Sequence, residues 1–361
     1  MNNIKKIGLT ALAGSLVSLG SATAGEIGVS GSINATLKFG KGGGNTTRTI
    51  GTDRDVAFSG SGELDNGTTF SVNTLLDDAY AVSAHTTTIT TPSMGTFTMG
   101  TDNGSASYKY DEEVPQAYEQ VSDASQTVAN VMGNYMDANH ILYTSPTLDF
   151  MGASITLDLG YTPQASDAGA GDGGQATYNP TFGEGTEAGV TISYDALKLG
   201  FYGSERDKTL PKLVQATGID TSDEFNGAWY VNYSMGPVSI GYTESYIDAG
   251  ASTGIQNTTA AKTVRTAGGL FTGEQMSIAF NVNDNMSISY TTSEETYDTQ
   301  DDAVSAVTTD DDVTTEIDAI QVAYSMGGMS IKAYNMEVKK PGFDSDASDQ
   351  SVTEVALGLA F

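Results

Sequence analysis

Cysteine is absent from this chain of 361 residues, which also has only two histidines and one tryptophan. The lack of cysteine excludes disulfides, zinc–thiolate sites, iron–sulfur clusters and cysteine nucleophiles. Two histidines leave little basis for a metal centre or a histidine relay. Basic residues are scarce too: 16 Lys and Arg stand against 45 Asp and Glu, for a formal net charge of −29. That charge argues against nucleic acid as a partner.

Long hydrophobic runs are also missing beyond the N-terminus, and the mean hydropathy is −0.21. Without an apolar stretch of about 20 residues, a bundle of transmembrane helices is excluded. The apolar content is nevertheless ordinary for a folded chain, so intrinsic disorder is disfavoured despite the charge. The sequence therefore predicts a folded, acidic protein.

The first 24 residues have the features of a targeting segment. Lys5 and Lys6 precede the apolar segment Ile7–Leu19, and Ala22-Thr23-Ala24 gives an A-x-A cleavage pattern. These are the three regions of a secretory signal peptide. We predict a signal peptide over residues 1–24, a mature chain over 25–361, and a compartment beyond the inner membrane.

The mature chain alternates with a period of two. Val355, Leu357, Leu359 and Phe361 are separated by Ala, Gly and Ala at the C-terminus, and residues 153–161 show the same pattern. Period two predicts β-strands with one apolar and one polar face.

Connections between these strands sort by length. Seven tight turns are predicted at Asp65-Asn66-Gly67, 93–95, 151–152, 195–196, 235–237, 283–285 and 326–328. Between them lie eight longer polar segments, at about 40–52, 77–81, 102–138, 163–184, 205–223, 248–268, 296–315 and 339–350. Strict alternation of short and long connections is typical of a membrane β-barrel. The fold class predicted is all-β, a 16-stranded antiparallel transmembrane β-barrel.

Charged residues in mid-strand test this interpretation. Lys38, Lys198 and Lys332 stand at polar positions of alternating strands, as do Asp158 and Glu354. A Lys or Arg facing lipid at the midplane costs about 2–4 kcal/mol, so these charges are expected to face inward. A lumen that accepts charge is filled with water.

The chain resembles the Gram-negative general-diffusion porins, most of all the alphaproteobacterial 16-stranded ones. The matching segments are Phe58–Gly67, Gly95–Gly100, Ile141–Pro146 with Phe150, and the final Leu357–Phe361. The resemblance implies an outer-membrane homotrimer that passes small hydrophilic solutes and ions by passive diffusion. Outer-membrane lipid and lipopolysaccharide are the implied surroundings, and the C-terminal Phe361 resembles the signal read by the barrel assembly machinery.

The resemblance also implies a third loop, about 101–139, that folds into the barrel and narrows it. Its candidate constriction acids are Asp111, Glu112, Glu113, Glu119 and Asp123, and Pro115–Val131 is predicted to form a short helix. In such porins arginines line the opposite wall. This sequence departs from that pattern, with Asp55 beside the Phe58 segment and Leu142 at another position often held by Arg. The remaining candidate wall bases are Lys38, Lys41, Arg48, Arg54 and Lys109.

Fixed charge in a narrow pore is poorly screened and sets which ions partition into it. An acidic constriction with few bases therefore predicts cation preference. No cofactor is expected. The acidic loops offer oxygen ligands for Ca²⁺, with candidate acids Asp301-Asp302, Asp310-Asp311-Asp312, Asp344, Asp346, Asp349 and those of the third loop, but solvated loops without a bound ion are the favoured explanation.

Two other functions stay open at this point. A substrate-selective channel could be built on the same barrel, and a secreted acidic surface protein or adhesin would share the composition. An enzyme is not expected, since His85 and His140 lie in strand-like segments with no Gly-x-Ser-x-Gly elbow nearby.

Overall fold

The structure is a computed structural model. It describes residues 26–42, 45–77, 81–101, 105–122, 136, 139–165, 182–208, 222–248, 250, 269–298 and 312–361. The predicted signal peptide, Asp123, Asp301-Asp302 and Asp310-Asp311 lie outside the described residues. Within the described ranges, no helix is long and apolar enough to cross a membrane.

Strand segments make up most of the described chain. They are β1 (Glu26–Gly42), β2 (Asn45–Glu63), β3 (Thr69–Leu76), β4 (Val82–Thr91), β5 (Gly95–Thr101), β6 (His140–Thr144), β7 (Leu148–Phe150), β8 (Ala153–Thr162), β9 (Phe182–Tyr194), β10 (Leu197–Lys208), β11 (Glu224–Met235), β12 (Val238–Asp248), β13 (Leu270–Asn283), β14 (Met286–Asp298), β15 (Val313–Met326), β16 (Met329–Lys339) and β17 (Gln350–Ala360). Short 3-10 turns occupy Ala106–Lys109 and Pro341–Phe343.

These segments form one closed antiparallel sheet. Sequence neighbours pair along the chain, and β1 also pairs with β17, which closes the barrel. Both β6 and β7 pair with β8, so together they occupy one strand position. The described chain therefore has the sixteen strand positions that the sequence predicted.

Side chains alternate between the two faces of this wall. Residues such as Ile27, Val29, Ile50 and Leu357 are apolar and exposed on the outer surface. The opposite face carries mostly Ser, Thr, Asn, Gln and charged side chains. An apolar exterior around a polar interior is the pattern of a barrel that spans a membrane.

The seven predicted tight turns are all present between the strands of successive hairpins. Several require a positive φ, which is why Gly stands there: Gly67 has φ 79° and Gly95 has φ 89°. In the first turn, the Thr68 amide also donates to the Asn66 side chain at 3.0 Å.

The predicted loop at 40–52 is wrong. β1 continues to Gly42, β2 begins at Asn45, and these two residues pair directly across the hairpin. The segment is rich in Gly and Thr, which suggested a loop, but Thr is also favoured in strands. β2 extends well beyond β3, since β3 pairs only with Val56–Glu63.

Candidate functional site: the third loop in the lumen

The segment between β5 and β6 enters the barrel and contacts inward-facing side chains of its wall. The described part, residues 105–122 with Met136 and Asn139, begins with a 3-10 turn at Ala106–Lys109 and continues without regular helix to Ser122. The predicted helix is thus wrong over 115–122, and its remainder, 123–131, lies outside the described residues. Irregular backbone inside a barrel must satisfy its hydrogen bonds on the wall or with water in the lumen.

The start of the loop is fixed to β8, β9 and β10. The Ala106 amide donates to Glu187 Oε1 at 2.9 Å, and the Tyr110 hydroxyl donates to Asp158 Oδ2 at 3.1 Å. The Tyr110 ring stacks on Tyr202 with a centroid distance of 5.3 Å. Polar bonds and aromatic packing therefore act together at this end.

The middle of the loop crosses β10, β11 and β13. Lys198 Nζ lies 2.9 Å from Glu113 Oε2, and Asn232 Nδ2 donates to the Glu113 carbonyl at 2.7 Å. Gln275 Nε2 donates to Glu112 Oε2 at 2.7 Å. Side chains of three strands thus hold two consecutive loop residues.

The last described stretch lies along β14, β15 and β17. The Ala117 amide donates to Ser289 Oγ at 2.9 Å, and the Tyr118 hydroxyl donates to Glu354 Oε1 at 2.7 Å. Burial, with the nearby Glu119 and Glu354 carboxylates, raises the pKa of Tyr118, which keeps this hydroxyl protonated as a donor. The loop therefore follows the inner wall from β8 to β17.

Two glycines make room for this path. A Cβ on Gly189 would overlap the Tyr110 ring, and one on Gly241 would overlap Pro115 and come within 3.2 Å of Val114 Cα. Both glycines stand at inward positions of their strands. The absence of side chains there lets the loop lie directly against the wall.

The predicted constriction acids divide into two groups. Asp111, Glu113 and Glu119 are half-buried in the lumen, whereas Glu112 is 5% exposed and faces β13 and Ser122. Glu112 has a positive φ of 47°. The structure thus brings three of the named acids to the lumen and buries the fourth.

The predicted basic wall needs correction. Lys38 faces inward, 3.7 Å from Glu354, and Lys109 lies 2.5 Å from Asp158. Lys41 shares the phase of the exposed Leu37 and Phe39 on β1, and Arg48 and Arg54 pair with Phe39 and Ile33. These three are therefore on the outer face, because a shift of one residue along a strand moves a side chain to the other face.

Sequence reasoning missed the wall residues that hold the loop. Glu187, Gln275, Ser289 and Gln321 stand at inward positions and bond the loop over more than 80 positions of sequence separation. Because they stand at the polar positions of alternating strands, the sequence indicated that they face inward. No sequence signal indicated which loop residues they contact.

Three or more acidic or histidine side chains that could hold a metal ion do not come together anywhere in the described residues. Asp344 and Asp346 instead belong to a local turn, in which the Asp346 amide donates to Asp344 Oδ1 at 2.9 Å.

Comparisons with known proteins agree with this architecture. A family model described as Gram-negative porin matches residues 8–361. No curated protein matches the sequence significantly. Solved structures that share the fold include Salmonella typhi OmpF in complex with daunomycin, at 12% identity and TM-score 0.64, covering 94% of this chain and 98% of that one.

Two further structures give the same result. A loop L8 deletion mutant of the Vibrio cholerae outer membrane protein OmpT has 14% identity and TM-score 0.62, covering 94% of this chain and all of that one. An anion-selective porin from Comamonas acidovorans has 12% identity and TM-score 0.58, with 93% and 100% covered. With the family match spanning nearly the whole chain, this protein belongs to the Gram-negative porin family.

Proposed function

We propose that this porin, an outer-membrane channel for passive diffusion, prefers cations and small neutral hydrophilic solutes over anions. The observation that carries this proposal is the pairing of the lumenal lysines. Lys38, Lys109 and Lys198 each lie within 4 Å of a carboxylate, on Glu354, Asp158 and Glu113. Lys332 lies 4.9 Å from the centre of the Tyr118 ring and interacts with Glu119.

The paired lysines add little positive potential, and the acidic side chains in the described lumen outnumber them. Asp111 and Glu119 are half-buried there, and the whole chain carries 45 acids against 16 bases. The Debye length at physiological salt is about 8 Å, so fixed charge on a narrow pore is felt across it. The fold alone does not determine whether the pore prefers cations or anions, because the anion-selective Comamonas porin has the same fold.

Reversal potentials of the refolded protein in a planar bilayer under a KCl gradient test this proposal. We expect a permeability ratio that favours K⁺ over Cl⁻, reduced when Glu113 and Glu119 are both changed to Gln. A ratio that favours Cl⁻ in the unmodified protein would contradict the proposal. A solute that blocks conductance saturably would point instead to a substrate-selective channel.

We further propose that the protein works as a homotrimer in lipopolysaccharide-containing membrane, without enzymatic activity. Vibrio cholerae OmpT, of the same fold, has been described in a trimer form. Conductance steps in groups of three equal amplitudes would support the trimer. A single step size with no triplets, from protein that sediments as a monomer, would contradict it.

A further inference from the structure

Two aspartates of β2, Asp53 and Asp55, belong to the inner face of the wall. Asp53 pairs with Asn34 of β1 and Asp55 pairs with Ser32, whereas the exposed Ile50 pairs with Leu37. Residues directly opposite in an antiparallel pair share a face. Since Leu37 belongs to the apolar exterior, the two aspartates lie on the opposite side, towards the lumen.

The same aspartates lie near the level of the third loop. Asn34, directly opposite Asp53, interacts with the Tyr118 side chain of the loop. Tyr118 in turn bonds Glu354, which lies 3.7 Å from Lys38 on the same strand as Asn34. Asp53 therefore stands one strand away from the place where the loop meets β1, and its side chain is exposed.

Few other charges occupy this part of the wall. Apart from the two aspartates, Lys38, and Glu63 at the end of β2, the inward positions of β1 to β5 whose side chains the structure describes are uncharged, and most are Ser, Thr, Asn or Gly. Lys38 has its own acid partner. The side of the lumen reached from β2 thus carries net negative charge from Asp53 and Asp55, in addition to the acids of the loop.

We propose that Asp53 and Asp55 are specificity-determining residues, which make the wall as well as the loop attract cations. The proposal rests on the cation preference proposed above and deepens it. Acids on the wall and on the loop together make the potential along the passage more negative than the loop acids alone would. The solutes favoured are inorganic cations and small organic ammonium ions, and dianions are disfavoured most.

Neutralising the pair tests the proposal. In the double variant Asp53→Asn with Asp55→Asn, Coulomb's law in water gives about a twofold lower partitioning of K⁺ for each unit charge removed about 8 Å away. The K⁺/Cl⁻ permeability ratio should therefore fall at least about twofold, with single-channel conductance in 1 M KCl nearly unchanged. The matched control is Glu274→Gln with Glu294→Gln, which removes equal charge from the outer face and should leave the ratio unchanged.

The absence of cysteine from the chain allows a second test that does not depend on the double variant folding. Asp53→Cys, modified in the open channel with a cationic methanethiosulfonate, should show a lower K⁺/Cl⁻ permeability ratio than the unreacted variant, and a separate sample modified with an anionic reagent should show a higher one. Leu37→Cys, on the outer face, should show no change with either reagent. If all these variants conduct ions with the same cation preference as the natural sequence, the wall aspartates have no role in selectivity. If the protein with its natural sequence conducts no ions, or prefers anions, the proposed function itself is overturned.

Discussion

At the scale of single residues, Gln321 holds the third loop with both ends of its amide. Its Oε1 accepts from the Tyr118 amide at 2.6 Å, and its Nε2 donates to the Glu119 carbonyl at 2.7 Å. The side chain is 1% exposed. One glutamine on β15 thus fixes the backbone beside Glu119, an acid that we propose contributes to the selectivity of the pore.

Replacing Gln321 with Ala should loosen the loop. The change leaves an amide and a carbonyl of the loop without their buried partner, at a cost of about 1–3 kcal/mol for each unsatisfied group. We expect noisier single-channel currents with more frequent partial closures. Asn335→Ala is the matched control, since Asn335 bonds Thr353 on the exposed outer face, and equally noisy currents from this control would refute the assignment.

At the scale of strands, one outward row of the sheet consists of like charges. Glu244 pairs with Glu274, Glu274 with Glu294, and Glu294 with Glu316 across four successive strands. The row has partners at its ends: Trp229 Nε1 donates to Glu244 at 3.0 Å, and Lys339 Nζ lies 2.6 Å from Glu316. Like charges directly opposite each other destabilise a sheet.

Glu294→Gln should therefore stabilise the barrel, because it removes the repulsion of Glu294 with both neighbours. Each such pair contributes about 0.2–1 kcal/mol. Thermal unfolding in detergent at low salt should show a higher midpoint temperature. The gain should shrink in 1 M salt, where the Debye length is only about 3 Å. Glu316→Gln, which also loses the Lys339 ion pair, should gain less, and an equal gain would argue against the pairwise account.

At the scale of the whole molecule, the barrel was predictable because its pattern is local. The seven tight turns and the inward phase of Lys38 and Lys198 follow from turn residues and period two. The outward placement of Arg48 and Arg54 did not follow, since polar residues occupy both faces of the 45–55 segment and leave its phase undetermined. Nor did the burial of Glu112, which depends on Gln275 from a distant strand.

Closure of the barrel also depends on contacts between the chain ends. Phe361 and Gly31 exchange backbone hydrogen bonds of 3.0 and 2.9 Å, and the Phe361 ring lies beside Gly31. The Phe361 side chain is nevertheless 76% exposed. The backbone bonds remain when the ring is removed, so the ring itself adds little to the stability of the folded barrel.

Phe361→Ala should thus separate folding from assembly. Refolding into detergent should give a yield of heat-modifiable barrel close to that of the unmodified protein, whereas the amount assembled in outer membranes of expressing cells should fall severalfold. Phe361→Tyr keeps an aromatic ring and should assemble nearly normally. This outcome would support the expectation, implied by the resemblance to porins, that Phe361 is recognised by the assembly machinery. If the yield of folded barrel in detergent and the amount assembled in cells fall equally, the ring instead stabilises the pairing of β1 with β17.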